Sequence, residues 1–280
     1  MPFRIVDAKE LAPNNKMIKV TAPLIAKKGH AGQFAILKID EKGERIPLTL
    51  ADWNKEEGTV TFIFQEVGKT SRQLGTLKTG DVLMDCIGPL GIPTHVEEAG
   101  TVVCVGGGLG IAPLYPIARA FHWAGNKVIT IIGARNKDLL FYEEELSSVS
   151  SEFIVCTDDG SKGVKGFVVT ALNQLMEQGE KIDRAFAIGP PIMMKVVSEA
   201  TRAKAIPTMV SLNPIMVDGT GMCGACRVSV GGETKFACID GPDFDAHKVD
   251  FDLLMSRLRM YDDMEKKAME RYREEQLSAS

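Results

Sequence analysis

From Phe3 to about Val96, hydrophobic and polar positions alternate in short runs separated by turn residues. Met17-Ile18-Lys19-Val20-Thr21, Gln33-Phe34-Ala35-Ile36-Leu37 and Thr59-Val60-Thr61-Phe62-Ile63-Phe64 are the clearest of them. Alternation puts successive side chains on opposite faces of a strand, and no helical period competes, so residues 1–98 are expected to form a small antiparallel β-barrel. From Thr101 the pattern changes. Apolar runs at Thr101–Val105, Lys127–Gly133, Glu152–Cys156 and Arg184–Ile188 each end in glycine, a charge or a hydroxyl, with helical stretches between them. Strands that are apolar on both faces and alternate with helices predict a parallel sheet covered on both sides over residues 99–212, so the fold class is β plus α/β.

Beyond Val249, residues Phe251, Leu254, Leu258, Tyr261, Met264, Ala268 and Tyr272 recur at helical spacing with acids and bases between them. Residues 249–280 are therefore expected to be one helical tail whose apolar stripe must lie on something, either the body of the chain or a partner subunit. The strongly charged sequence after about Glu265 predicts a frayed end.

Residues 213–248 follow neither period, and they hold the chain's densest chemistry. Asp218-Gly219-Thr220-Gly221-Met222-Cys223-Gly224-Ala225-Cys226, followed by Cys238, has the spacing D-x4-C-x2-C-x11-C. With cysteine in place of Asp218, the first three positions would be the run that holds a 2Fe–2S cluster in plant-type ferredoxins. Thiolates suit zinc as well as iron. A structural zinc site, however, shows two C-x2-C pairs or one pair with closely spaced histidines, and here one pair stands with only His247 nearby. Three plain core cysteines are the remaining alternative. Gly219, Gly221 and Gly224 fit a loop wrapped closely around an ion better than the interior of an element, so the favoured reading is an iron–sulfur site with Asp218, Cys223, Cys226 and Cys238 as ligands. Cys86, Cys104 and Cys156 lie in apolar runs and are expected in the core.

Three features of the barrel could touch a cofactor. The strand Glu44–Leu50 carries Arg45, Thr49 and Pro47; proline cannot donate to a ladder and so marks an edge or opening where a flat ligand could lie. Gln65–Ser71 is a glycine turn running into two hydroxyls and a short helix, suited to phosphate. Gly88-Pro89-Leu90-Gly91 predicts a turn closing the barrel. In the second half, the first apolar strand runs into Gly106-Gly107-Gly108-Leu109-Gly110-Ile111-Ala112-Pro113 and then a helix. Glycines let the backbone approach an anion, and the free N–H groups and dipole of the helix start meet its charge. Pro113 stands where G-x-G-x-x-G has its last glycine. Arg135, at the end of the second strand, is placed to reach a ribose or phosphate, although a strand-end arginine is more often simply solvated.

Composition narrows the function classes. With 280 residues, 45% hydrophobic and 25% charged, the chain is globular with room for two domains and an appendage. A formal net charge of -4 gives no basic field for nucleic acid. No apolar run approaches the roughly 18 residues of a membrane span, and Met1-Pro2-Phe3-Arg4-Ile5-Val6 lacks a signal-peptide core. A cytoplasmic location is expected, in keeping with cysteines gathered in a ligand motif rather than a disulfide framework.

Taken in order, Pro47–Thr49, Gly68–Ser71, Gly88-Pro89-Leu90-Gly91, the glycine turn ending in Pro113, Gly189-Pro190-Pro191-Ile192-Met193 and the cysteine cluster resemble the ferredoxin-NADP reductase superfamily, over essentially the whole chain. Within it, the cysteine segment looks like that of dihydroorotate dehydrogenase electron-transfer subunits. Asp218 in the first ligand slot and the tail beginning Val249-Asp250-Phe251-Asp252 resemble the small subunits of NADH-dependent reduced ferredoxin:NADP oxidoreductases, also described as sulfide dehydrogenase subunits. The resemblance implies an FAD against Pro47, Leu48 and Thr49, with Ile63, Phe64 and Gln65 lining the next strand and its pyrophosphate at Thr70 and Ser71. It implies NAD(H) at Gly108, Leu109, Gly110 and Pro113, with Gly189 and Pro190 near the nicotinamide. Single electrons would leave through the 2Fe–2S cluster to a larger flavin and iron–sulfur subunit, with ferredoxin served indirectly and the tail helping to dock. No side chain is expected to act as acid, base or nucleophile. Two positions depart from the superfamily: Arg45 stands four residues before Thr49 instead of three, and Ile188 replaces the cysteine that many relatives place before the Gly-Pro pair. The rival readings are a dihydroorotate dehydrogenase electron-transfer subunit and, from another class, a redox-sensing module that binds nucleotide without turnover. The segmentation that follows is 1–98, 99–212, 213–248 and 249–280.

Overall fold

A computed structural model describes residues 2–279. The first seven strands are β1 (Phe3–Ala12), β2 (Asn15–Thr21), β3 (Phe34–Lys38), β4 (Arg45–Asn54), β5 (Thr59–Gln65), β6 (Val82–Leu83) and β7 (Asp85–Leu90). They pair antiparallel in the order β6-β1-β2-β5-β4-β3-β7, a sheet curled nearly closed around Ile5, Val20, Leu37, Leu50, Phe62 and Phe64. Helix α1 (Pro23–Lys28) contributes Ile25 and Ala26 to this core, and α2 (Lys69–Gly75) follows β5. One expectation is corrected. Gly88, Pro89 and Leu90 continue β7, Gly88 and Pro89 within a register shift between Phe34 and Ile36 and Leu90 paired with Phe34 of β3, so the chain turns only after them. A proline that cannot donate is accommodated at such an irregularity, and the absent side chain of Gly88 suits its approach to Ala35, whose Cβ would lie 3.0 Å from a Cβ there.

The second unit alternates strands and helices: β8 (Thr101–Gly107), α3 (Ile111–Trp123), β9 (Lys127–Ala134), α4 (Glu143–Ser148), β10 (Glu152–Thr157), β11 (Val164–Lys165), α5 (Val168–Glu177), β12 (Arg184–Ile188), α6 (Pro191–Arg202) and β13 (Thr208–Ser211). The sheet order is β11-β10-β9-β8-β12-β13, parallel throughout. Helices α3 and α4 pack on one face together with Ala31, Ala51 and Ile63 of the barrel, and α5 and α6 pack on the other. Strand order reverses direction between β8 and β12, the switch point at which open parallel sheets bind ligands.

The cysteine segment is built on this sheet. A hairpin of β14 (Arg227–Val230) and β15 (Glu233–Phe236) leads through α7 (Ala237–Asp240) to β16 (Asp243–Asp245). β16 joins the parallel sheet as an antiparallel seventh strand beside β13. The tail is two helices, α8 (Phe251–Leu258) and α9 (Asp262–Ala279), rather than one. Phe251 and Leu254 of α8 are buried in the core of the parallel-sheet unit, and the Asp252 carboxylate meets Lys195 Nζ of α6 at 2.8 Å. α9 stays helical through the charged stretch expected to fray, and lies against α2 with Tyr272 buried. Tyr261 and Met264 stay exposed. No helix among the described residues is long and apolar enough to cross a membrane.

Asp243 sits where barrel, parallel sheet and cysteine segment meet. Its Oδ2 accepts from Thr94 Oγ1 at 2.6 Å. The residue keeps partial exposure, but Oδ1 is shut off from solvent and accepts from no protein group. Desolvation pushes its carboxyl up to about 6, against the hydrogen bonds from Thr94 and Ser211 that lower it. The native chain therefore keeps this proton where the unfolded chain, with an ordinary carboxyl, has lost it. Stability falls as pH rises from about 4 to about 6, by on the order of 3 kcal/mol, and stays lower above that. Asp243→Asn is expected to remove this slope, measured as the difference between native and variant urea-unfolding free energies across that window; parallel pH profiles would show the group is not titrating as described.

Candidate functional site

β4 and β5 pair from Leu50 and Phe62 outward to Asn54 and Thr59. Toward the other end they part. Arg45–Thr49 pairs only with β3, and Ile63–Gln65 only with β2. This parts the two strands, with Pro47, Leu48 and Thr49 on one side and Ile63, Phe64 and Gln65 on the other, while Leu48 and Phe64 are buried in the barrel core; the expected flavin slot is where they part. Pro47, which has no N–H to leave unpaired, stands on its rim. The glycine turn Gly108–Gly110 lies against β5, and Ile63 of β5 shares a core with Ile111 against which Leu109 packs, so the two expected binding features adjoin across the boundary between barrel and parallel sheet.

At the switch point the turns after β8 and β12 are in direct contact. A Cβ on Gly110 would lie 2.2 Å from the Ile188 carbonyl oxygen, and one on Gly189 would lie 3.0 Å from that of Gly107. Only glycines allow this approach of two backbones. Pro113 is buried in the first turn of α3, where a missing N–H costs little. Arg135 is exposed at the end of β9, and Pro190 is exposed at the start of α6. In the turn before α2 both hydroxyls have protein partners. Ser71 Oγ accepts from the backbone N–H groups of Val67 and Gly68, both at 3.0 Å, and closes the helix start. Thr70 Oγ1 donates to Glu44 Oε2 at 2.6 Å.

The cysteine loop packs on the back of the slot. Gly219, at φ +81, brings its backbone so close to the barrel that a Cβ would lie 2.9 Å from Ile36 Cγ1 and 3.1 Å from Leu90 Cδ1. Ile36 in turn sits opposite Pro47. Cys226 and Cys238 are buried with their sulfurs 3.2 Å apart, Cys226 donating. Cys223 is exposed beside a cavity of about 190 Å³ that Arg227, Arg257 and Tyr261 also line. Asp218 Oδ2 accepts from both the Thr220 hydroxyl and its backbone N–H. These bonds, with Met222 N–H and the Arg45 guanidinium adding to them, hold its carboxyl below the usual carboxylate range. Arg45 thus faces the cysteine loop. Cys86, Cys104 and Cys156 are buried elsewhere, as expected, with thiols pushed up by desolvation to about 12, 12 and 11.

Of the four expected ligands the structure brings together Cys226 and Cys238, a pair that suits one iron of a cluster. Among the described residues no three cysteine, histidine, aspartate or glutamate side chains converge tightly enough to hold a single metal ion. A 2Fe–2S cluster instead needs two protein ligands at each iron, and the Cys226–Cys238 pair supplies one such set. Burial first, then Cys226, pushes the Cys238 thiol up to about 12, so its thiolate needs a neighbouring positive charge, which iron brings. The nearby Gly221 N–H acts in the opposite sense, favouring the thiolate.

Residues 213–250 match the iron–sulfur cluster binding domain of dihydroorotate dehydrogenase B, and residues 104–199 match the oxidoreductase NAD-binding domain. The chain is 49% identical over 253 residues to a dihydroorotate dehydrogenase B (NAD(+)) electron transfer subunit homolog of Thermotoga maritima, covering 90% of this chain and 89% of that one. It is 33% identical over 254 residues to the dihydroorotate dehydrogenase B (NAD(+)) electron transfer subunit of Geobacillus thermodenitrificans, covering 88% and 96%. The chain belongs to the dihydroorotate dehydrogenase B electron-transfer subunit family. Like other members of that family it is an oxidoreductase subunit with an NAD-binding and an iron–sulfur domain. Its fold superposes on a chain of the NADH-dependent reduced ferredoxin-NADP oxidoreductase, a structure described for flavin-based electron bifurcation. The TM-score is 0.92 at 46% identity, covering 97% of this chain and 98% of that one. For an electron-transfer subunit of this kind, what the sequence leaves unseen is the contact of Gly219 with Ile36 and Leu90. Pairing partners far apart in the chain leave no local signal.

Proposed function

We propose that the chain takes hydride from NADH at an FAD in the β4–β5 slot and passes the electrons singly through a 2Fe–2S cluster to a larger flavin and iron–sulfur subunit. NADH gives up two electrons and one proton as hydride and leaves as NAD+; the electrons depart one at a time and the proton returns to solvent. FAD, when bound, supplies the exchange between two-electron and one-electron transfer. The protein's part is placement. Pro47, Leu48, Thr49, Ile63, Phe64 and Gln65 confine the flavin ring, with the pyrophosphate at Thr70 and at the helix start that Ser71 closes. Gly108, Leu109, Gly110 and Pro113 receive the dinucleotide, Gly189 and Pro190 border its nicotinamide, and Arg135 is in reach of its ribose. Asp218, Cys223, Cys226 and Cys238 hold the cluster.

The observation that carries this reading is the shared wall: Ile36 packs on the cysteine loop and pairs with the flavin strand. Bifurcation chemistry and the larger partner are favoured over dihydroorotate oxidation by the 0.92 superposition. Exposed Tyr261 and Met264 on the tail are the surface we assign to docking, and ferredoxin is served through the partner. The test is a visible and EPR spectrum of the purified chain, with whatever copurifies, before and after anaerobic NADH. Flavin bleaching, a reduced-cluster signal and a larger flavin and iron–sulfur subunit are expected; a colourless preparation, or zinc as the only metal, defeats the reading, and a dihydroorotate-oxidising partner moves it to the sister complex. Asp218→Cys is expected to keep a cluster with a changed midpoint potential, because thiolate replaces carboxylate at one iron. An unchanged potential on redox titration removes Asp218 from the ligand set.

A further inference from the structure

The two elements that carry the proposed hydride-transfer site meet again at their far ends. β4 carries Pro47, Leu48 and Thr49 in its first half and runs on to Asp52 and Trp53, while α3 begins just after the glycine turn and runs on to Arg119 and Trp123. Arg119 Nη2 of α3 donates to Asp52 Oδ1 of β4 at 2.8 Å. The same guanidinium carbon stands 5.5 Å from the ring centre of Trp53 on the barrel, and 4.8 Å and 5.1 Å from those of Tyr115 and Trp123 on its own helix. The chain has two tryptophans, and both are spent on this one cation. Although Trp123 is 74% exposed, the Arg119 side chain is only 14% exposed, so rings and carboxylate enclose it. Beside it the seam opens into a cavity of about 400 Å³, bordered by His30, Lys55 and Pro116. Ala51 of β4 shares a core with Leu114, Ile117 and Phe121 of α3 and Trp53 packs against it, and the Arg119 contacts lock this apolar seam where it opens to the cavity.

We propose that Arg119 is a positioning residue for hydride transfer: by fastening α3 to β4 at the end remote from the cofactors, it sets the angle at which the glycine turn presents the nicotinamide to the flavin strand. This rests on the hydride-transfer reading given above. From Gly110 to Arg119 the helix rises about 13 Å, so a tilt of about 5° about the clamp displaces the turn by about 1 Å. Misplacement of reacting atoms by that much costs on the order of 100-fold in rate. A guanidinium suits the post because its plane stacks on rings while its fork binds a carboxylate, which an ammonium cannot do together.

The test is anaerobic stopped-flow reduction of the full-length, FAD-loaded protein by NADH, comparing the native chain with Arg119→Met, Arg119→Lys and Asp52→Asn. Three quantities are read: the bleaching rate constant at saturating NADH, the NADH Kd, and the long-wavelength charge-transfer absorbance of stacked nicotinamide and flavin. Arg119→Met is expected to slow bleaching by on the order of 10- to 100-fold and weaken the charge-transfer band, with Kd held within about threefold. Arg119→Lys recovers part of the rate and Asp52→Asn shows a smaller loss of the same kind. Native rate and band in Arg119→Met overturn the proposal. Should that variant fail to fold or retain FAD, Asp52→Asn decides: slowed bleaching at unchanged Kd supports the clamp and a native rate overturns it. Failure of the underlying reading is seen separately, as a native protein whose flavin NADH does not bleach.

Discussion

Cys226→Ser or Cys238→Ser is expected to abolish the reduced-cluster EPR signal and cut electron delivery to the partner by more than about 100-fold, beyond the loss caused by removing an outer-shell partner of a metal ligand. NADH should still bleach the flavin. The two sulfurs face each other at 3.2 Å with 1% and 3% of their residues exposed, so a hydroxyl at either position puts a hard, protonated ligand in a dry site built for thiolate. The strand we propose to border the flavin pairs with Ile36, and the walls of the proposed slot are untouched by either change. Iron content per chain and single-turnover kinetics read the two halves separately. Full iron occupancy in either variant would show that these two cysteines are not ligands, and loss of flavin bleaching would show that the loop and the slot fold as one.

The second large effect belongs to Gly110. A Cβ there would meet the Ile188 carbonyl oxygen at 2.2 Å, its carbon at 2.6 Å and Gly189 Cα at 2.8 Å. All three are backbone atoms, so none can move aside as a flexible side chain would. Gly110→Ala must part β8 from β12 at the turn we propose as the dinucleotide site. A stability loss of about 2–4 kcal/mol and an NADH Kd raised by on the order of 100-fold are expected, read by urea unfolding and titration calorimetry. Gly108 provides the contrast. A side chain there meets open space but must hold φ +56, so Gly108→Ala should cost only about 1–2 kcal/mol. Equal effects from the two substitutions would show that backbone strain, not the approach of β12, governs the turn, and an unchanged Kd in Gly110→Ala would remove the turn from the cofactor site.

Much of this architecture is legible in the chain, and the reason is punctuation. Strands β2, β5, β8, β9 and β12 are short runs bounded by glycine, proline or charge, and each forms within a residue or two of where its pattern places it. The Gly106–Pro113 turn is equally plain because a strand, glycines and a helix start follow one another locally. What escapes notice depends on pairing. Gly88-Pro89-Leu90 has the composition of a turn, yet Leu90 pairs with Phe34 and the segment is held as strand. The tail's apolar spacing runs unbroken through Leu258 and Tyr261, while Met260 N–H bonds to the Arg257 carbonyl and the chain swings away into α9. Nothing local to Ser71 signals that its hydroxyl closes the helix start on Val67 and Gly68. Arg119 and Asp52 are separated by 67 positions, a distance over which no periodicity connects a cation to its carboxylate.

The parallel sheet terminates in very short strands, two residues at β11 and three at β16. Rims this brief expose hardly any unpaired main-chain groups, so neither a second copy nor a foreign polypeptide can lengthen the sheet by laying a strand alongside it. Any companion that this flavoprotein keeps along the parallel sheet must be chosen through side-chain shape and charge, leaving the ladder beneath undisturbed.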